Sequence, residues 1–417
     1  MIWHAILTRV IRQGTLTVQY PSGQIRHYGN GEAPTAGMLL RTPRAERRLV
    51  LNPSLAFGEL YMDGELEPLD CSLYDLLDVM VINAWSEHRH PMEHLTSGLR
   101  RLRRPIDQLN LAGRARRNVA HHYDLNGRLY ALFLDRDRQY SCAYFPTGTE
   151  TLEEAQAAKK RHIAAKLKLD RPKGAPPLEV VDIGCGWGGM AISLARDWGA
   201  RVTGITLSEE QLGVARQRAA EAGLADRVRF ELLDYRALPG LLRGKVDRVV
   251  SVGMFEHVGI DHYRTFFRVI REILKPDGVA LVHAIGRSSG PGTTNPWLAK
   301  YIFPGGYSPA LSEVLPAVEK SGLWATDIEI LRMHYAETLR HWRRRFAANR
   351  DAILSLYDER FCRMFEFYLI GAELSFRRSD CMIWQLQLAA SPQALPLTRD
   401  YMVEAERAAA ARAPISA

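Results

Sequence analysis

The spacing of apolar positions changes several times along the chain, and each change marks an element. Residues 2–12 carry apolar side chains at helical spacing, whereas Gly14 to Tyr20 (G-T-L-T-V-Q-Y) alternates as a strand does, with P-S-G at 21–23 as a turn. Leu49 to Tyr61 and Tyr74 to Trp85 return to helical spacing, with Gly64 and Pro68 as breakers between them. This predicts a small α/β module over residues 1–95, with no catalytic constellation of its own. From residue 151 the pattern is longer and regular. Thr151–Leu169 reads as a helix, Leu178–Ile183 as a buried strand, Met190–Trp198 as a helix and Arg201–Thr206 as a strand. Val228–Leu233, Asp247–Val252 and Val279–Ala284 are three further strands, and residues 262–275 present Tyr263, Phe266, Phe267, Ile270 and Leu274 on one helical face, stopped by Pro276-Asp277-Gly278. Alternating strands and helices predict a doubly wound parallel sheet with its ligand at the carboxyl edge. Two aromatic-rich helical stretches over 338–376, a closing strand Cys381–Ala389, and a tail after 402 that reads as a surface helix or loose end complete the chain.

The chemistry gathers around L-E-V-V-D-I-G-C-G-W-G-G at 178–189, where a strand breaks into glycines at 184, 186, 188 and 189. Glycines there let the backbone turn sharply and approach a ligand, and the following helix offers free N–H groups, as in nucleotide sites. The acidic residue that commonly ends the second strand, about twenty residues after the first glycine, is missing. Thr206-Leu207-Ser208-Glu209-Glu210-Gln211 stands in its place. Ser208 and Gln211 have the spacing of a helix capping box, a reading compatible with ligand contact by Thr206 and Gln211.

D-I-G-C-G-W-G-G followed by T-L-S-x-x-Q resembles the cyclopropane-fatty-acyl-phospholipid synthase and mycolic acid synthase family. H-Y-D-L-N-G at 122–127 and Y-S-C-A-Y at 140–144 extend the resemblance, which is dense over about 118–390. It implies a class I S-adenosylmethionine (SAM) methyltransferase fold, a Rossmann-like doubly wound sheet, with a small N-terminal α/β domain. It further implies a basic linker over 96–120, a catalytic domain over 121–390 with helical insertions covering the acyl chain, and a tail over 391–417. The implied cofactor-binding residues are Tyr140, Ser141, Gly184, Cys185, Gly186, Thr206, Gln211 and Asp234, the last for the adenine amino group. The implied reaction adds a methylene from SAM across a cis double bond of a phospholipid acyl chain. The alkene attacks the sulfonium methyl, and bound bicarbonate removes a proton from the new methyl so that a ring closes. Its holders map onto Cys142, Glu256, His283, Ile285 and Tyr335.

Each residue also has a plainer reading. Cys142 could be a buried structural thiol, Glu256 and His257 a solvated loop pair, and His283 a hydrogen-bonded core histidine. A variant that ends in a methyl-branched or methylated unsaturated chain uses the same cation, and a lipid- or SAM-binding module without turnover is a third alternative. The N-P-P-Y or D-P-P-Y motif of amino-group nucleic-acid methyltransferases does not follow the fourth strand, where G-M-F-E-H-V-G occurs.

Composition narrows the partners. A formal charge of +8 over 417 residues favours anionic partners. Arg100, Arg101, Arg103, Arg104, Arg114, Arg116 and Arg117 interleave with aliphatic and not aromatic residues, which suits an anionic membrane surface better than nucleic acid, a solvated linker being the alternative. Five scattered cysteines without a C-x-x-C suggest neither a disulfide framework nor a metal site. The short apolar start, Met1–Leu7, is followed by Arg9 and Arg12, unlike a secretory signal. The expectation is a cytoplasmic enzyme, peripheral to the inner face of the membrane, and the resemblance implies a homodimer. The N-terminal module would bind lipid or serve packing.

Overall fold

A computed structural model describes residues 2–84, 90, 98, 127–172 and 174–412. The arginine-rich run and the H-Y-D-L-N segment at 122–126 lie outside these residues. The chain divides into two compact units, one of residues 1–107, 292–304 and 335–381, the other of 108–291, 305–334 and 382–417.

In the first unit, β1 (Thr15–Gln19), β2 (Ile25–Gly29), β3 (Thr35–Leu40) and β4 (Leu66–Pro68) form a sheet of order β2-β1-β3-β4. Leu16 and Val18 on β1 and Met38 and Leu40 on β3 turn inward against Trp3, Leu49, Leu60 and Leu76 from the surrounding helices. The helical pattern near residue 50 breaks into Pro43–Leu51 and Pro53–Met62, because Pro53 starts a new helix at its first position. The aromatic stretches expected with the catalytic segment pack into this unit. Trp297, on the helix Pro296–Tyr301, lies so close to Gly58 that a Cβ there would sit 2.5 Å from its indole nitrogen. The two expected long helices are His334–Ala348 and Glu359–Arg378, and a short helix, Arg350–Leu356, lies between them, set off by Asn349 and Tyr357-Asp358. The third is pinned by Arg363 donating to the Tyr61 carbonyl (2.6 Å) and by the Arg378–Asp78 fork (2.8 and 3.0 Å).

The second unit holds the doubly wound sheet. β5 (Glu179–Ile183), β6 (Arg201–Thr206), β7 (Val228–Leu232), β8 (Val246–Val252) and β9 (Leu274–Arg287) run parallel, and β10 (Trp324–Ile330) and β11 (Cys381–Ala389) pair antiparallel; the order is β10-β11-β9-β8-β5-β6-β7. The chain reverses direction across the sheet between β5 and β8, the place where such sheets bind ligands. β9 begins earlier than the pattern predicts: Leu274 pairs with Val246, then Val279 with Arg248, so Pro276-Asp277-Gly278 forms a bulge within a strand instead of ending a helix before one. The apolar stripe of the helix Tyr263–Ile273 packs on this sheet, and Phe255 is enclosed by Tyr263, Phe266, Phe267 and Trp384 with ring centroids 4.5–5.5 Å apart. The tail is a docked helix, Asp400–Arg412, with Met402 and Ala405 buried and Glu406 bonded to His162. Phe255→Ala should lower the unfolding free energy of this unit by about 3–5 kcal/mol, read from urea titration; a loss under about 1 kcal/mol would show that the cluster does not hold the strand ends together.

Candidate active site

The glycine loop is shaped by contacts on one side and open on the other. Gly184 and Cys185 donate backbone N–H groups to the Ile205 carbonyl (2.9 and 3.0 Å), which folds the loop over the end of β6. Gly186 has φ +53°, and a Cβ placed on it would meet nothing within 4 Å. The opposite wall is tight: a Cβ on Gly189 would lie 2.5 Å from the Asp137 carboxylate. Asp137 is ion-paired with Lys160 (2.5 Å) and Arg218, and Arg218 also donates to the Trp187 carbonyl (2.8 Å). These two cations hold the Asp137 carboxyl below its ordinary range despite its burial. The segment 135–139 is thereby fastened to the loop.

Beside the loop, Ser208 caps the helix Glu209–Glu221 by accepting from the Gln211 N–H (3.3 Å), one half of the expected capping box. The other half is absent because the Gln211 side chain turns to Thr206, whose hydroxyl donates to Gln211 Oε1 (2.9 Å). That bond fixes the Gln211 amide with its NH2 end turned away from Thr206, available to an acceptor such as a ribose hydroxyl. Asp234, at the end of β7, takes both of its carboxylate oxygens into a fork with Arg236 (2.7–2.8 Å) and caps the following turn. A contact to an adenine amino group would use the remaining lone pairs of that carboxylate.

Tyr140 lies edge-on to Tyr130 (5.3 Å), which in turn meets Trp187 of the glycine loop (4.9 Å). Ser141 reaches the end of β8, with Gly253 beside its Cβ. Beneath them is Lys159, fully buried, donating to Ser141 Oγ and Gln139 Oε1, both at 2.7 Å. Burial pushes this ammonium down to about 8 and pushes Asp182, the penultimate residue of β5, up to about 7. Cys142 is buried, its thiol donating to the Ala143 carbonyl (3.2 Å).

Glu256 sits on a short turn after β8, and its Oε1 accepts the Ile285 backbone N–H at 2.6 Å. His283 is two residues before Ile285 on β9, so their side chains share one face; its carbonyl accepts the Gly253 N–H (2.9 Å). Among the described residues, neither buried Glu256 Oε2 nor buried His283 Nε2 has a hydrogen-bond partner. A solvated loop pair is therefore the wrong reading for Glu256. An acceptor and a ring nitrogen left open in the interior form the polar lining expected where a small ligand docks. Tyr335 belongs to the first unit, where it lies edge-on to Phe376 (4.9 Å) and Trp342 (5.8 Å). Within the second unit, then, Glu256 and Ile285 are in direct contact, His283 lies two residues before Ile285 on β9, and Ser141 meets the end of β8. Lys159, Asp182 and Gln385 escaped the sequence reading. Lys159 falls on the apolar stripe of its helix with Ala155 and Ile163, and Gln385 alternates with apolar residues in a strand buried on both faces; either was a readable signal.

The chain matches the family model for mycolic acid cyclopropane synthetase over residues 112–386, and a domain of unknown function over 2–90. It is 38% identical over 357 residues to the cyclopropane-fatty-acyl-phospholipid synthase of Escherichia coli K12, covering 86% of this chain and 88% of that protein. It is 36% identical over 406 residues to tuberculostearic acid methyltransferase UfaA1 of Mycobacterium tuberculosis, covering 92% and 91%. Its fold matches the crystal structure of mycolic acid cyclopropane synthase CmaA1 complexed with SAH and CTAB, with a TM-score of 0.60, 31% identity, and 68% and 100% of the two chains covered.

Burial pushes the Glu256 carboxyl up to about 7, against the pull of the Ile285 N–H. A carboxyl that holds its proton more tightly when folded stabilises the fold fully below its unfolded value, about 4.3, and that contribution is lost as pH rises through about 7. Wild type minus Glu256→Gln stability should thus fall by roughly 3 kcal/mol between pH 5 and pH 8 in paired urea titrations. A difference independent of pH would contradict the buried, half-satisfied carboxyl.

Proposed function

The chain belongs to the mycolic acid cyclopropane synthetase family of SAM-dependent methyltransferases, and from that premise we propose that it adds a methylene to the cis double bond of unsaturated phospholipid acyl chains. The observation that carries this reading is the open pair at the strand ends, Glu256 Oε2 and His283 Nε2. A buried acceptor and a buried donor, each left open near the strand ends, fit a small protic anion such as bicarbonate, which offers one hydroxyl and negative oxygens. The open side of Gly186 and the turned Gln211 amide fit the nucleoside of SAM.

SAM supplies the methyl group, and bicarbonate held by Cys142, Glu256, His283 and Ile285 would supply the base. The alkene π pair forms the new C–C bond as the C–S bond breaks, leaving positive charge on the acyl chain. Loss of a proton from the arrived methyl lets its C–H pair close the ring. No side chain has to act as nucleophile. What the protein must do is exclude water from the cation and keep the acceptor oriented. Glu256 is suited to orientation: Ile285 N–H fixes one oxygen, so the other has one direction. Thr206, through Gln211, and Tyr140, beside the glycine loop, would set the donor against the alkene.

Where another proton is lost from the cation, the product is a methyl- or methylene-substituted unsaturated chain, which becomes a saturated methyl-branched chain only after a separate hydride-donating reduction. The similarity to a tuberculostearic acid methyltransferase over most of the chain favours keeping this second reading. Peripheral binding to an anionic membrane is supported by the +8 charge and the arginines at 100–117, and among the described residues no helix is long and apolar enough to cross a membrane. The first unit would contribute lipid contacts, and the homodimer belongs to the same proposal.

Expression in cells lacking such a synthase, followed by gas chromatography and mass spectrometry of the acyl chains, should give a one-methylene gain with cyclopropane fragmentation. Methyl- or methylene-substituted unsaturated products would select the second reading, and unaltered lipids would refute both. Glu256→Gln should abolish product while SAM binding persists; undiminished turnover would remove Glu256 from the site.

A further inference from the structure

Behind His283 runs a chain of buried polar groups that the reaction itself does not use. Lys166 Nζ lies 2.8 Å from Gln385 Oε1, and Gln385 Nε2 lies 3.2 Å from His283 Nδ1. All three residues are almost fully buried. An ammonium can only donate, so the oxygen end of the Gln385 amide must face it, and the NH2 end must face His283. An amide NH2 also only donates, so Nδ1 has to accept and bear the lone pair. Burial, with Lys159 and Lys166 nearby, pushes the imidazole well below its ordinary range and keeps it neutral. A neutral ring with a bare Nδ1 carries its proton on Nε2, the nitrogen that has no partner among the described residues.

Lys166 is in turn held. It pairs with Glu329, which lies opposite Gln385 in the β10–β11 register and also bonds His162 Nε2 (2.7 Å). His162 Nδ1 meets Glu406 of the C-terminal helix (2.9 Å). The carboxylates on both sides pull His162 up against the effect of burial. A network serving only to satisfy a buried lysine would have no reason to end on an unpaired donor, which costs about 1–3 kcal/mol.

We propose that Lys166 and Gln385 are positioning residues that hold His283 in its Nε2–H tautomer, so that the site presents a neutral N–H donor to an anion beside Glu256. The proposal rests on the reading of Glu256 and His283 as flanking such an anion. It concerns the state of the ring before any turnover, so it is testable apart from the product.

The direct test is nitrogen NMR of full-length protein carrying 15N-labelled histidine, with His283 signals identified by their loss in His283→Asn. Wild type should show a protonated Nε2 and a bare Nδ1. Gln385→Glu puts an acceptor against the ring and should transfer a proton to Nδ1. Gln385→Met, similar in size but without the amide, should give mixed tautomers and lower kcat about 10- to 100-fold while leaving SAM affinity unchanged. A protonated Nδ1 in wild type overturns the proposal, and so does a kcat loss in Gln385→Met with the tautomer unaltered. An enzyme that makes a different product, yet shows the stated tautomer, would refute the function reading and leave the positioning role intact.

Discussion

The hydrogen bond from the Ile285 N–H to Glu256 Oε1 ties together the ends of two neighbouring parallel strands, and the site depends on it. A carboxylate taken out of water is costly, and one backbone donor offsets only part of that cost. The other oxygen is left in the interior with no partner among the described residues. Such a group is stable only because the surrounding packing fixes it: Phe255, its immediate neighbour, is locked by four aromatic rings, and Tyr307 donates its N–H to the Glu256 carbonyl. The aromatic core thus supplies the rigidity that a half-satisfied polar group requires.

The same logic extends around the glycine loop. Lys159 and Asp182 are both buried, their ordinary ionisation opposed by desolvation, and each stands under a segment with a separate task. Lys159 braces Ser141 and Gln139; Asp182 is the penultimate residue of the strand from which the loop departs. Buried charge here serves geometry more than stability, since a well-packed apolar replacement would generally cost less. What apolar residues could not provide is a fixed direction for neighbouring donors and acceptors.

Much of this was legible in the sequence, for identifiable reasons. β5, β6 and β11 are bounded by abrupt changes from apolar to glycine or polar residues, and each lies where the pattern places it. β10 was not foreseen, because Trp324–Ile330 is an edge strand with mostly outward side chains and a weak alternation. The bulge at Pro276-Asp277-Gly278 was read as a helix stop, since proline and glycine signal a break without saying whether a strand resumes around it. Glu256, His283 and Ile285 are named through family resemblance; the Glu256–Ile285 contact is tertiary, set by strand neighbours far apart in sequence. The polar character of Gln385 within a buried strand is readable, but its link to Lys166 and His283 is tertiary in the same way. The grouping of residues 335–381 with the N-terminal module was hidden too, because aromatic helical spacing reveals a buried face without saying which core it enters.

Ring closure requires that the methyl delivered to the alkene give up one of its own protons. Supplying SAM with a trideuterated methyl group and weighing the modified acyl chains tests this most directly. The account predicts a cyclopropane that has gained carbon with two deuterium atoms, the third having left with the base. A product that keeps all three deuterium atoms would contradict it, because the cation would then have been discharged elsewhere along the chain.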